Sequence, residues 1–269
     1  MSDTANERAK MPAGTSSVLD SRRLDNSYAT LVPVLRKGMR VLDVGCGTGA
    51  ISAGIAVAVG PEGGVVGIDS SPHLIAKGSG DHAGIQNLTL LEADLFTYAP
   101  AEKFDLIVSA RVLQWLSDPA AALLAFKSLL KPGGMISILD YNHTQLEWTP
   151  APPESMQQFY KAFLDWRSDA GMDNNMADHL PGIFEQLGFQ DIVTLPADEV
   201  YKKGTASFVE KAGIWSKVAE LRGPQMVDSG FVTEALRLKA IAEYNDWVEE
   251  KAEQMVMKLK EVRAMVSFH

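Results

Sequence analysis

The sequence predicts an α/β fold built on a parallel sheet covered on both faces. Between Met39 and Asn142, strand-like and helix-like stretches alternate. The strand-like stretches are short continuous apolar runs, as expected of strands buried on both sides. Gly60-Pro61-Glu62-Gly63-Gly64 and Lys131-Pro132-Gly133-Gly134 punctuate the alternation with turns.

Residues 1–17 are polar, have no apolar signal core and read as a flexible leader. Leu24, Tyr28, Leu31 and Leu35 then recur at helical spacing, which predicts a short amphipathic helix over 24–36. Strands are predicted at 39–44, 64–69, 87–91, 104–109 and 134–140, and helices at 49–58, 72–78 and 118–130. Beyond them, Met156, Phe159, Tyr160 and Phe163 form one face of a helix that reaches Trp166. A helix over 178–187, a strand near 190–195 and a helix with the stripe Phe231, Ala235, Leu238 and Ala242 follow. The segment 255–266 fits either period and is read as a strand.

Composition narrows the function. A chain of 269 residues, 46% hydrophobic, can bury one substantial core, with or without a lid. A formal net charge of -9 disfavours a nucleic-acid backbone or an anionic membrane as main partner, since both repel an acidic surface. Cys46 is the single cysteine, which excludes an intramolecular disulfide and a multi-thiol metal centre. A reducing cytoplasm is expected. No run is long and apolar enough to suggest a membrane span.

The chemistry concentrates in Val41-Leu42-Asp43-Val44-Gly45-Cys46-Gly47-Thr48-Gly49. An apolar strand ends in an acid and is followed by glycines at alternate positions, where the backbone can take positive φ and approach a ligand closely. Nicotinamide enzymes share such turns, so the loop alone does not identify the ligand. Asp69 ends the second strand, where a carboxylate can accept from both hydroxyls of a ribose. Asp94, in Glu92-Ala93-Asp94-Leu95, follows the third and can accept from an adenine amine, although an Asp there also suits a helix N-cap. All three acids fall at carboxyl ends of successive strands, the rim where open α/β sheets bind ligands. Asp43 would repel a pyrophosphate but suits an ammonium group, and no glycine stands at the sixth position of the loop. This combination favours S-adenosylmethionine over a dinucleotide.

With those residues in view, 39–140 resembles the core of the class I S-adenosylmethionine-dependent methyltransferases. The matching pieces are VLDVGCGTG (41–49), VVGIDSS (65–71), LLEADL (90–95), FDLIVS (104–109) and LLKPGGMISILD (129–140). The resemblance implies a Rossmann-like, doubly wound, seven-stranded sheet, mostly parallel with one antiparallel strand near the C-terminus, carrying helical lid insertions. It divides the chain into a leader and capping helix (1–36), a cofactor-binding core (37–142) and the rest of the same domain (143–269). The lid insertions lie at about 143–176 and 205–250. Carried over residue by residue, it places Asp43, Gly45, Cys46, Gly47 and Gly49 along the cofactor. Asp69 and Ser70 go at its ribose, Ala93, Asp94 and Leu95 at its adenine, and Ser109 and Ala110 at its methionine end. Cys46 is expected there as a small loop residue and not as a nucleophile.

The same resemblance separates substrate branches. The exit of the fourth strand, Ser109-Ala110-Arg111-Val112, lacks the Pro-Pro-aromatic turn of enzymes that methylate DNA bases or glutamine. It also lacks the converging carboxylates of magnesium-dependent catechol enzymes, so no metal is expected. The stretch Arg111-Val112-Leu113-Gln114-Trp115-Leu116-Ser117-Asp118-Pro119 resembles the quinone and natural-product branch. A small-molecule acceptor follows, methylated on O, N or C, by a monomer or homodimer. Tyr28, Arg111, Trp115, Asn142, Trp166, Arg167 and Arg222 are the substrate-binding candidates. A general base is needed only for a weakly acidic acceptor. His143, Asp140 and Tyr141, at the exit of the fifth strand, are the candidates for it. The competing readings are a non-catalytic cofactor- or partner-binding protein, a nicotinamide-dependent oxidoreductase and a methyltransferase for protein side chains.

Overall fold

The computed structural model describes residues 3–10, Gly14 and 19–267. Its frame is one sheet of order β3-β2-β1-β4-β5-β8-β6, with β7 pairing on β8 beside it. The strands are β1 (Arg40–Val44), β2 (Gly64–Asp69), β3 (Leu88–Glu92), β4 (Phe104–Ala110), β5 (Leu130–Thr149), β6 (Gln190–Pro196), β7 (Glu199–Lys202) and β8 (Gln254–Met265). The first five strands pair parallel, and β8 runs antiparallel to β5, β6 and β7. Seven strands with one reversed near the C-terminus form the continuous path, as the resemblance implies, and β7 adds an eighth.

The pleat divides the core. Val41 and Leu106 face one hydrophobic cluster while Leu42 and Ile107 face the other, because side chains alternate along a strand. The helices α3 (Ala50–Val59), α4 (Pro72–Asp81) and α5 (Pro119–Leu129) connect the parallel strands. Proline at the first turn starts both α4 and α5, and Asp118 caps α5 by accepting from the Ala121 amide. β1 lies between β2 and β4, so the chain reverses its winding there. That switch point is where open sheets of this kind hold ligands.

After β5 the chain builds a helical layer: α6 (Glu154–Asp169), α7 (Met176–Gln186), α8 (Phe208–Ala212), α9 (Ile214–Leu221), α10 (Gly223–Asp228) and α11 (Glu234–Glu250). Met156, Phe159, Tyr160, Phe163 and Trp166 are buried on α6, as their spacing predicts. Each such side chain contributes roughly 1.5–3 kcal/mol relative to exposure.

Four expectations change. The first concerns α11. Ala240, Tyr244, Trp247 and Val248 form its buried face, and Leu238, from the predicted stripe, is 52% exposed. Tyr and Trp bury more area than the small apolar residues, so they set the helix rotation. Second, β5 continues past residue 140 to Thr149 because β8 pairs with it again at Glu147–Thr149, after an irregularity between Asn142 and Glu147. Third, the helix expected over 24–36 is broken. Here α2 (Leu24–Ser27) gives way to a 3-10 turn, Ala29–Val34, that contains Pro33.

The fourth concerns the leader. Part of 1–17 lies outside the described residues, but Asp3–Ala9 forms α1. Arg8 anchors it: its guanidinium donates to the Trp166 carbonyl and to Asp169 (2.8 Å) and lies 5.0 Å from the centre of the Trp166 ring. Arg222 donates to the carbonyls of Arg8 and Lys10 at the helix end, a favourable place for a cation.

Candidate active site

The glycine loop leaves β1 at Gly45 and enters α3 at Ala50. Gly45, Gly47 and Gly49 have φ of 73°, 57° and 75°, a region that costs any residue with a Cβ. The amides of Gly45 and Cys46 both donate to the Ile68 carbonyl, at 2.8 and 3.1 Å. The Gly47 amide donates to Asp69 Oδ2 at 3.0 Å, and the Ser71 amide to Asp69 Oδ1 at 2.9 Å. The acid that ends β2 therefore organises the loop after β1. Each oxygen keeps a second lone pair for a ligand hydroxyl.

Asp43 is buried and accepts from Ser52 Oγ at 2.6 Å. Burial pushes its carboxyl up to about 6, against the Ser52 hydrogen bond and with help from the negative charge of Asp69. An ammonium group beside it would restore the charged form. Cys46 is a free thiol whose ionisation is pushed up by burial and by Asp43 and Asp69. It is correspondingly inert.

A narrow cleft of about 40 Å3 lies over this loop, lined by Asp43, Gly45, Cys46, Gly47 and Ala110 from the expected set. Leu19, Arg22, Ala50, Ile51 and Arg111 complete it. Leu19 sits so close to Gly47 that an added Cβ would lie 3.1 Å from it. Gly49 serves as the left-handed N-cap of α3 rather than as a wall. Asp69, Ser70, Ala93, Asp94 and Leu95 lie along the same rim outside the cleft. Ala93 donates to the Asp69 carbonyl, and the exposed Asp94 accepts from the Phe96 amide at 2.7 Å. Ser109 differs from expectation: its side chain is fully buried in the sheet and donates to the Val44 carbonyl at 2.8 Å.

A second space, about 260 Å3, adjoins the cleft. Arg22 lines both, and Tyr141 and Glu199 stand at their junction. Arg111 spans that junction. It holds Glu199 at 2.5 Å, donates to Tyr141 Oη at 2.9 Å and to the Ser27 carbonyl at 3.1 Å. Its φ of 63° is unusual for a side-chain-bearing residue, and its Nη1 is buried without a partner. The Arg111 charge holds the Glu199 carboxyl below its usual range despite burial.

The three base candidates are placed differently. Tyr141 lines the larger space. Burial and the charge of Glu199 push its hydroxyl up, against Arg111. Asp140 is buried, accepts from the amides of Tyr141 (2.9 Å) and Gln114 (3.0 Å), and is pushed up by burial to about 7. His143 lies behind them, boxed by Tyr141, Phe163 and Trp215, with Nε2 2.5 Å from Gln114 Oε1. Burial, reinforced by Arg167, pushes it well below its usual range, so the ring is neutral. It borders neither space.

Of the substrate candidates, Arg111 alone reaches a described space. Tyr28 is core, with its hydroxyl 2.8 Å from Ser137 Oγ. Asn142 donates to Asp178 at 2.6 Å. Trp166 lies under Arg8. Trp115 is sandwiched between Arg167 and Arg222, at 4.6 and 4.5 Å from its ring centre. Each of these side chains is engaged by partners inside the protein, on the sheet, on α1 or in the helical layer. The residues the sequence reading missed are Leu19 and Arg22, Glu199 and Tyr201 on β7, and Lys211 on α8. The charged pattern of Arg22-Arg23 next to a helical stripe was the one signal for any of them. Among the described residues no cluster of His, Cys, Asp and Glu is arranged to hold a metal ion.

Comparison with known proteins converges on this frame. The family model described as "Methyltransferase domain" matches residues 35–192. A demethylmenaquinone methyltransferase of Staphylococcus aureus is 28% identical over 174 residues, spanning 59% of this chain and 70% of its own. Among solved structures, a methyltransferase from Aquifex aeolicus described as SAM-dependent superposes with a TM-score of 0.54 at 18% identity. It covers 95% of this chain and 98% of its own. A phosphoethanolamine N-methyltransferase 2 of Haemonchus contortus, solved with phosphomonomethylethanolamine and S-adenosylhomocysteine, gives a TM-score of 0.55 at 17% identity. That match covers 96% of this chain but 54% of the longer relative.

Proposed function

This chain belongs to the methyltransferase-domain family, and within it we propose an S-adenosylmethionine-dependent transfer of a methyl group to a small-molecule acceptor by in-line displacement, without a metal. The observation that carries the reading is the pairing of a glycine loop held by Asp69 with a separate adjoining space that shares one wall, Arg22, with it. A donor site and an acceptor site in contact are what group transfer requires.

The residues present fit the cofactor. The three left-handed glycines let backbone approach it, Asp69 keeps lone pairs for its ribose, and the buried Asp43 answers an ammonium. Ala93, Asp94 and Leu95 continue the rim for an adenine. When bound, S-adenosylmethionine supplies a methyl group already activated on a positively charged sulfur. The protein then has to align the acceptor and exclude water. Arg111, Tyr141 and Glu199 fix the junction where the acceptor would meet the cleft, and Tyr141 is the base candidate that reaches it. His143 stands behind Tyr141, 5.1 Å between ring centres, and supports it by packing.

Calorimetric titration with S-adenosylmethionine and S-adenosylhomocysteine tests the reading. We expect micromolar binding, weakened by about 2 kcal/mol or more in Asp69→Ala, the scale of a lost charge-assisted hydrogen bond. Failure of both ligands to bind the folded protein would overturn it.

A further inference from the structure

The charges at the end of the larger space that meets the cleft do not cancel. There two guanidinium groups, Arg22 in the shared wall and Arg111 in the cleft, face one carboxylate, Glu199. Arg111 takes that carboxylate at 2.5 Å and leaves its own Nη1 unpartnered. Among the described residues, Arg22 makes only a long contact of 3.5 Å to Tyr141 Oη through its guanidinium, and no carboxylate comes within the 4.0 Å of an ion pair. Lys211, across the space, donates to Ser21 Oγ at 2.8 Å and likewise has no carboxylate within that distance among the described residues. Ser21 directly precedes Arg22 in the chain, so the two cations share a neighbourhood. Farther out, Lys217 and Glu220 neutralise each other at 2.8 Å, and Glu210 is exposed at the rim. Among the described residues Arg22 and Lys211 stand outside any ion pair and Glu210 is the lining carboxylate that does so too, which leaves an excess of one positive charge in a chain of net charge -9.

Size and lining restrict the occupant further. A volume of about 260 Å3 falls below the roughly 300–1,000 Å3 of clefts that enclose drug-sized ligands. Its walls set the aliphatic Val209, Ile214 and Met257 and the rings of Tyr141 and Tyr201 beside the charged Arg22 and Lys211, which suits a compact acceptor with one polar end.

We propose that this space is the acceptor pocket and takes a small molecule carrying an anionic group, a carboxylate or a phosphate, held between Arg22 and Lys211. The assignment rests on the methyl-transfer reading above. Arg111 and Glu199 neutralise one another and form the floor. The anion answers the remaining charge, and the acceptor's other end points to the junction with the cleft.

The test uses the full chain saturated with S-adenosylhomocysteine. It is titrated with 4-hydroxybenzoate and 4-hydroxybenzamide, and with glycerol 3-phosphate and glycerol. At least one acid should bind about tenfold or more tightly than its neutral twin, the scale of one charge-assisted hydrogen bond. Which acid does so separates carboxylate from phosphate. Arg22→Gln and Lys211→Met should each abolish that preference, while Lys161→Met, on the exposed outer face of α6, should keep it. No acid-over-neutral preference in either pair overturns the proposal. Because Arg22 also borders the cleft, its partner could instead be the carboxylate of the cofactor. In that case Arg22→Gln weakens S-adenosylhomocysteine but not 5′-methylthioadenosine, and Lys211→Met changes nothing, which also overturns the proposal. If S-adenosylhomocysteine itself fails to bind the wild-type protein, the methyl-transfer reading falls, and this one with it.

Discussion

The amide of Gly47 donates to Asp69 across 3.0 Å, so the loop after β1 is held by the acid that ends β2. One side chain thus both shapes the loop and faces the rim. Asp69→Ala should lose more than ligand affinity. It removes the acceptor for the Gly47 and Ser71 amides, and a loss of about 1–3 kcal/mol in unfolding free energy is expected. Asp69→Asn retains one acceptor oxygen and should fall between. Urea unfolding of the three proteins without ligand measures it.

Asp43 predicts two opposite pH dependences. Its folded carboxyl is raised to about 6, from 3.8 for the free group. The folded state therefore holds a proton more tightly than the unfolded chain. This contribution to stability is fully present below about pH 4 and is lost as pH rises through 6. Its size is on the order of 3 kcal/mol. Asp140, raised to about 7, acts in the same direction over a window reaching neutral pH. Asp43→Asn should therefore stabilise the unliganded protein at pH 7.5, read by its melting midpoint.

Ligand binding should respond the other way. A cationic ammonium needs the ionised Asp43, so affinity for S-adenosylhomocysteine should fall toward tenfold per pH unit below about 6. Asp43→Asn should bind more weakly and lose that slope. A wild-type affinity flat from pH 5 to 7.5 would refute this role of Asp43.

Glu199→Ala should be among the costly single changes, because it leaves the buried Arg111 guanidinium without its counter-charge. A loss of about 3 kcal/mol is expected. Arg111→Gly in the same chain should recover part of it, since it removes the orphaned charge and suits the φ of 63°. A double-mutant cycle in denaturant gives the coupling. Additive losses would show that the 2.5 Å contact carries little.

His143→Ala tests the base assignment once an acceptor is found. The ring is neutral, boxed in aromatics and hydrogen-bonded to Gln114. Its removal should lower stability by about 2–4 kcal/mol, as for a buried cavity. At a temperature where the variant is folded, kcat should change less than about tenfold, whereas general-base loss costs typically 10²–10⁴. Tyr141→Phe, at the junction, should affect kcat more.

The parallel half of the fold was legible because its signals are local. Apolar runs, Pro-Gly turns and the acid-glycine loop each act over fewer than ten residues. The C-terminal strand was ambiguous by period, and β5 decided it through long-range pairing. Asp43, Gly45, Cys46 and Gly47 line one cleft for the same local reason, since the loop conformation is written in its glycines. The second space was not legible. It is assembled from Arg22, Tyr141, Glu199 and Lys211, which are far apart in the chain and carry no shared pattern. The aromatic candidates failed in the opposite way. Trp115, Trp166 and Tyr28 stand out by residue type, but their partners Arg8, Arg167, Arg222 and Ser137 draw them into the packing. Arg8 was invisible because a short polar helix looks like a leader until its docking partner is known.

Leu19 covers Gly47 in the cleft, and Arg22, three residues on, stands in the walls of both the cleft and the neighbouring space. The two rooms therefore share a threshold, and a change in this one short stretch alters both at once.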